Sequence, residues 1–290
     1  MISRRAILGA GLALPWVRFG NATADHIVVN ARSTWGEDLP PVGPLEAEAP
    51  GDVRFLLVHH SAGENEYDAA EVPGILRGIY ALHTGDRGWA DVAYNFFVDR
   101  HGGAWEGRAG SLAAPIKGDA TGGSQGFALL CCVLGTFTDQ PPTAEALGSL
   151  SGLLAHLADT YGIDTDPAAT TTFESRGSNR WPAGSVVTAR TVSGHRDMSQ
   201  TACPGNALYA LIDDGTLARD AGARRATATT ASTTTALPEL GVTSAPVGAE
   251  SATSSDADGA DEQSRLVPAL AAAALAAATG ALVGLRLRRR

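Results

Sequence analysis

Four residues carry types that could hold a metal ion. His59 and His60 close the stretch "FLLVHH", and His195 and Cys203 lie in "SGHRDMSQTACPG". Imidazole and thiolate together suit zinc. A catalytic zinc takes three protein ligands and leaves a fourth position open for water or substrate. His195 and Cys203 stand eight residues apart, a distance that a loop between strand and helix can close onto one ion. Side chains alternate across a strand, so either His59 or His60 faces such a site, but not both. Spacing alone leaves the plainer reading standing, in which a histidine at a strand end is a satisfied polar residue. Cys131 and Cys132 sit in the apolar run "GFALLCCVLGTF" and read as buried thiols filling a core. A bridge between these neighbours would be strained, and three cysteines cannot build a disulfide framework.

The elements that must position these groups lie between residues 30 and 213, where hydrophobic periodicity is regular. Strands are predicted over 54–60, 93–100 and 126–135, with "HGG" at 101–103 turning into a return strand at 104–108. A helix over 143–161 has Leu147, Leu150, Leu154, Leu157 and Tyr161 on one face, Thr143 as cap and Gly162 as stop. A second helix, about 69–83, aligns Val72, Ile75, Ile79 and Leu82, and a short third follows Pro204. Residues 164–192 show no strong pattern and read as a long functional loop. Strands mixed with helices imply an α/β layer structure in which helices cover a sheet. His83, His101 and His156 read as solvated or helix-face residues.

Five blocks occur in order: "RSTWG" at 32–36, "VHHSAG" at 58–63, "YNFFVDRHGGAWEGR" at 94–108, "SRGSNRWPAG" at 175–184 and "SGHRDMSQTACPG" at 193–205. Together they resemble the bacterial members of the peptidoglycan recognition protein family, with the N-acetylmuramoyl-L-alanine amidase type-2 fold. The resemblance implies a single mixed β-sheet flanked by helices. It implies zinc held by His59, His195 and Cys203, with Tyr94 beside the attacking water and Thr201 helping to hold the oxyanion of the transition state. It implies cleavage of the amide between N-acetylmuramic acid and L-alanine, zinc supplying an activated water and a polarised carbonyl. Trp89, Asn95, Arg108, Arg176, Asn179 and Trp181 are candidates for binding glycan or stem peptide. Ala93 departs from the glycine that commonly precedes the tyrosine. A recognition module that binds peptidoglycan without cutting it is the alternative, and the complete ligand set favours the enzyme. A zinc-stabilised adhesive domain is a third reading.

The ends read as addresses. Residues 1–24 combine Arg4 and Arg5, the apolar stretch Ala6 to Val17 and the small-residue site Ala22-Thr23-Ala24, the layout of an export signal; "SRRAIL" also resembles a twin-arginine signal. The amidase domain is expected over 25–218. Residues 219–265, rich in Thr, Ser and Ala, read as a disordered stalk. Leu266 to Leu285 carries no charge, and twenty helical residues reach about 30 Å, the thickness of a hydrocarbon core. The arginines at 286–290 would keep the tail cytoplasmic. The expected place is therefore the extracytoplasmic face of a bacterial membrane, as a monomer. A net charge of −9 argues against a nucleic-acid partner.

Overall fold

A computed structural model describes residues 16–18, 27–121 and 126–234. In chain order the strands are β1 (Trp16–Arg18), β2 (Val28–Asn30), β3 (Phe55–His60), β4 (Phe96–Val98), β5 (Ala104–Glu106), β6 (Ala128–Val133), β7 (Thr170–Glu174), β8 (Val186–Arg190) and β9 (Val192–Gly194). The helices are α1 (Ser33–Gly36), α2 (Val72–Ala81), α3 (Ala144–Tyr161), α4 (His195–Met198), α5 (Asn206–Asp213) and α6 (Thr216–Thr234). Among the described residues, seven strands form one mixed sheet in the order β1-β2-β5-β4-β6-β3-β9, and β7 and β8 form a separate antiparallel hairpin. β3 runs parallel to both neighbours, β6 and β9. The α/β fold with one mixed sheet is as expected.

β3 and β6 are apolar on both faces, as strands covered from two sides must be. Leu56 and Val58 of β3, with Leu129, Cys131 and Val133 of β6, pack beneath Leu150, Leu153, Leu154 and Leu157 of α3. On the opposite face Phe55, Leu57 and Leu130 meet Phe173 and Val187 of the hairpin and Met198 of α4. Further along that face Phe97 and Cys132 meet Val72, Leu76 and Tyr80 of α2. α3 starts where predicted: the Thr143 side chain accepts the Ala146 N–H at 3.2 Å. It stops at Gly162, which takes φ +66°, a left-handed conformation that glycine adopts without a Cβ penalty.

Four expectations are corrected. Residues 164–192 are not a patternless loop, since they contain β7 and β8. Each hairpin strand buries a single large apolar residue, Phe173 or Val187, so the alternation is faint although the β-branched residues suit a strand. The second helix buries Val72, Leu76 and Tyr80, and Leu82 stays 45% exposed. A π-helical turn over Leu82–Asp86 rotates the register there and turns His83 inward. The strand expected over 93–100 is confined to Phe96–Val98. The domain continues past residue 218, because α6 packs on α3 through Leu217, Ala218 and Ala221. Arg225 also donates to Asp159 at 2.6 Å and to the Ile163 carbonyl at 3.0 Å. An apolar face made mostly of alanine gave the sequence little to show.

Trp16–Arg18, within the expected leader, pairs antiparallel with β2. The rest of the leader, the stalk beyond residue 234, the apolar segment 266–285 and the basic tail lie outside the described residues. Among the described residues no helix is long and apolar enough to cross a membrane.

Candidate metal centre

β3 delivers His59. It continues the alternation of Phe55 and Leu57, so its fully buried ring lies on the face away from α3. The parallel register that sets Val58 opposite Gly194 places His59 and His195 side by side at the ends of β3 and β9; their rings are 4.5 Å apart. His195 opens α4, whose first turn is tied by the Asp197 carboxylate accepting the Gly194 N–H at 2.8 Å. The Tyr209 hydroxyl donates to the other oxygen of Asp197 at 2.6 Å. Cys203 comes from the loop between α4 and α5. Arg196 braces that loop by donating to the carbonyls of Ala202 and Cys203 and to Asn206. The Cys203 sulfur accepts the His60 backbone N–H at 3.4 Å.

One donor atom from each of His59, His195 and Cys203 falls within 4.8 Å of the others. His59 Nδ1 lies 3.7 Å from Cys203 Sγ. A tetrahedral zinc would hold a nitrogen and a sulfur about 3.5 Å apart, given bond lengths of roughly 2.0 and 2.3 Å. Among the described residues, His59 Nε2 is buried without a hydrogen-bond partner. Burial, then the neighbouring histidines, holds His59 well below the usual imidazole range, and burial takes His195 down to about 4. Both rings are thus neutral, with a lone pair to offer. Burial pushes the Cys203 thiol up to about 12, opposed by the His60 N–H and Arg196. A thiol so placed ionises when a cation takes the place of its proton. The donor set therefore fits zinc. His60 points to the other face of β3, its ring 6.5 Å from Phe137.

The remaining predicted residues divide. The Tyr94 ring lies 5.1 Å from His59, and burial raises its hydroxyl well above the ordinary tyrosine range. Thr201 is exposed, and its hydroxyl oxygen accepts the Cys203 N–H at 3.2 Å. The Trp89 ring lies tilted 4.8 Å from His83, which lies 5.6 Å from Tyr94, so a strip of rings leads to His59. Asn95 is wholly buried, donating to Ser111 and the Ile116 carbonyl and accepting the Leu130 N–H at 2.9 Å. Arg108 is 4% exposed and donates to Asp119 at 2.6 Å and to the Val92 carbonyl. Both belong to the frame under the site. Arg176 is ion-paired with Glu48 and lies 4.1 Å over Phe127. Asn179 exchanges hydrogen bonds with the Gln200 backbone, and the Trp181 indole donates to the Asp197 carbonyl at 2.9 Å.

Two contributors escaped the sequence reading. His83 is buried, not solvated, and its Nδ1 accepts the Ala93 N–H at 3.0 Å, directly before Tyr94. The spacing Val72, Leu76, Tyr80, His83 was the available signal. Arg32 of "RSTWG" forms a buried pair with Asp91, at 2.9 and 3.0 Å, and stacks 4.4 Å from Trp35. Asp91 in turn accepts the N–H groups of Val92 and Ala109, which fixes the backbone leading to Tyr94.

Mouse peptidoglycan recognition protein 1 is 32% identical over 196 residues, covering 67% of this chain and 90% of that protein. Peptidoglycan-recognition protein LE of Drosophila melanogaster is 33% identical over 135 residues, 47% of this chain and 37% of that protein. Among solved structures, protein LE in complex with tracheal cytotoxin, a monomeric diaminopimelic acid-type peptidoglycan, superposes with a TM-score of 0.50 at 26% identity. That match covers 64% of this chain and 92% of the other. The N-acetylmuramoyl-L-alanine amidase family model (Amidase_2) matches residues 49–206, which takes in the complete donor set, and the chain belongs to that family.

Proposed function

We propose that the chain is a zinc-dependent N-acetylmuramoyl-L-alanine amidase acting on peptidoglycan. The complete, mutually close set of His59, His195 and Cys203 supports this reading. Bound there, zinc would supply an acidified water and polarise the scissile carbonyl. The protein's own part is to hold two neutral imidazoles and one thiol close together. Tyr94, kept protonated by burial, orients the attacking water with its hydroxyl. Thr201 places its hydroxyl where the carbonyl oxygen gathers charge. The half-buried Trp89 offers its indole to the glycan or stem peptide, and the structure of protein LE bound to a diaminopimelic acid-type fragment makes that stem type the first substrate to try. Incubation with purified sacculi should release L-alanine amino ends, and a chelator should abolish the release. Binding to sacculi without new ends would instead identify a recognition module, the function named for several relatives. Metal content with neither binding nor cleavage would leave the adhesive reading.

The same reading places the domain outside the cytoplasmic membrane of a bacterium, exported by residues 1–24 and anchored by 266–285 as a monomer. Cell fractionation tests this: the protein should pellet with membranes, and deletion of 266–290 should release it into the medium.

A further inference from the structure

The β7–β8 hairpin builds a rim beside the metal centre. Its tip, residues 175–184, is fastened to the segment that carries His195 and Cys203. Ser178 donates to the Met198 carbonyl at 2.9 Å, Trp181 to that of Asp197, and Asn179 pairs with Gln200. Trp181, like Tyr94, packs over the apolar cluster of Phe55, Leu57 and Leu130 on the His59 face. Tyr94 also packs against the α2 cluster. It therefore lies between the α2 side and the hairpin tip, and the tip forms the second wall.

The arginines near this wall differ in how their charge is answered. Arg176 is paired with Glu48. Arg196 is enclosed by the carbonyls and amide of the loop it braces. Arg180 is exposed and, among the described residues, has no carboxylate within ion-pair distance. Its contacts are the carbonyl oxygen of Arg196 and the face of Trp181, 5.2 Å away. Both fix the guanidinium without neutralising it, and the carbonyl belongs to the residue next to the ligand His195. A planar, fixed and unpaired guanidinium recognises carboxylates by paired N–H donors.

We propose that Arg180 is a specificity-determining residue that takes the free α-carboxylate of the second residue of the stem peptide. This rests on the amidase reading, which sets the scissile amide at His59, His195 and Cys203. An extended chain advances about 3.5 Å per residue, so the second residue stands one step beyond the first, and a stem that leaves the centre along the hairpin wall carries its free carboxylate toward Arg180. The γ-linked second residue of a stem peptide keeps its α-carboxyl free unless it is amidated, so Arg180 separates the acid form from the amide.

The test uses two synthetic muramyl tripeptides that differ only in whether that α-carboxyl is free or amidated, with zinc-loaded full-length chain in detergent. kcat/KM is measured for each, together with Kd by calorimetry. Arg180→Gln should lower kcat/KM and affinity for the acid peptide about tenfold or more, the usual scale of one charge-assisted contact. The amidated peptide should be unaffected within a factor of two, and Arg180→Lys should fall between. Metal content and melting temperature should not change, since Arg180 is exposed. Equal losses on both peptides, or none on either, would overturn the assignment while leaving the amidase intact. Wild-type chain that neither cleaves nor binds either peptide would overturn the amidase reading and this inference with it.

Discussion

Cys203 and Cys131 are both buried thiols, and their neighbours separate them. Cys131 lies among Leu129, Val133 and α3, with no imidazole to share an ion, whereas Cys203 stands 3.7 Å from His59. Cys203→Ser should therefore sharply weaken zinc binding, and Cys131→Ser should leave metal content unchanged. Equal metal in Cys203→Ser and wild type would withdraw the ligand set. The adjacent histidines make a similar pair. His59→Ala removes a ring aimed at the site, while His60→Ala removes one aimed at Phe137 and keeps the backbone N–H that supports the sulfur. Metal analysis should find most of the zinc in His60→Ala and little in His59→Ala. Tyr94 is tested by Tyr94→Phe, which keeps the ring on His59 and deletes the hydroxyl. A positioned acid–base group contributes about 10²–10⁴-fold, so kcat should fall on that scale with zinc content and KM held. A rise in KM alone would make Tyr94 a binding residue.

At the scale of elements, Asn95 shows how a residue near the site serves the frame. Asn95→Ala would leave the Leu130 N–H of β6 buried without its acceptor, at a cost of about 1–3 kcal/mol. Denaturant unfolding should show that loss with affinity for wall fragments unchanged; a loss of affinity at full stability would return Asn95 to the groove. The sequence offered no means of telling this asparagine from a ligand-binding one, because residue type alone does not say whether an amide meets a ligand or the backbone. β3 and β6 were legible as unbroken apolar runs, and α3 by the three- and four-residue spacing of its leucines. The β7–β8 hairpin was not, since Phe173 and Val187 are its lone deeply buried large residues and the exposed threonines look like loop. α6 was hidden by composition, its contact face being Leu217, Ala218 and Ala221 within a stretch otherwise typical of a stalk. The donor set was readable as residue types, but its closure depended on parallel pairing of β3 with β9, which no local pattern records. The π-helical turn that buries His83 adds one residue to a helix period and so moves the apolar stripe.

For the molecule as a whole, the centre joins three separated parts of the chain, the end of β3, the start of α4 and the loop before α5. An ion bound there would stabilise the folded form by mass action, and chelation should lower the melting temperature. The stability that remains without metal should depend on acid, and His83 supplies a share outside the ligand set. Its ring is 6% exposed, and burial takes it down to about 4 from an unfolded value near 6.5, with Arg87 and Arg108 adding to that shift and Asp119 and Asp91 opposing it. Above 6.5 neither folded nor unfolded chain is protonated there, and His83 contributes no pH dependence. Between 6.5 and 4 the unfolded chain binds a proton that the folded chain does not, so stability falls as pH falls. Below 4 both forms are protonated and the slope ends, after a loss of about 3 kcal/mol from this group. His83→Gln has no such proton to bind. In the presence of a chelator, its unfolding free energy should decline less steeply than that of wild type from pH 6.5 to 4, whatever its starting stability. Urea titrations at half-unit pH steps would measure both slopes. Parallel curves through that window would mean that His83 takes up its proton in the folded chain, and that the Ala93 N–H does not hold its Nδ1.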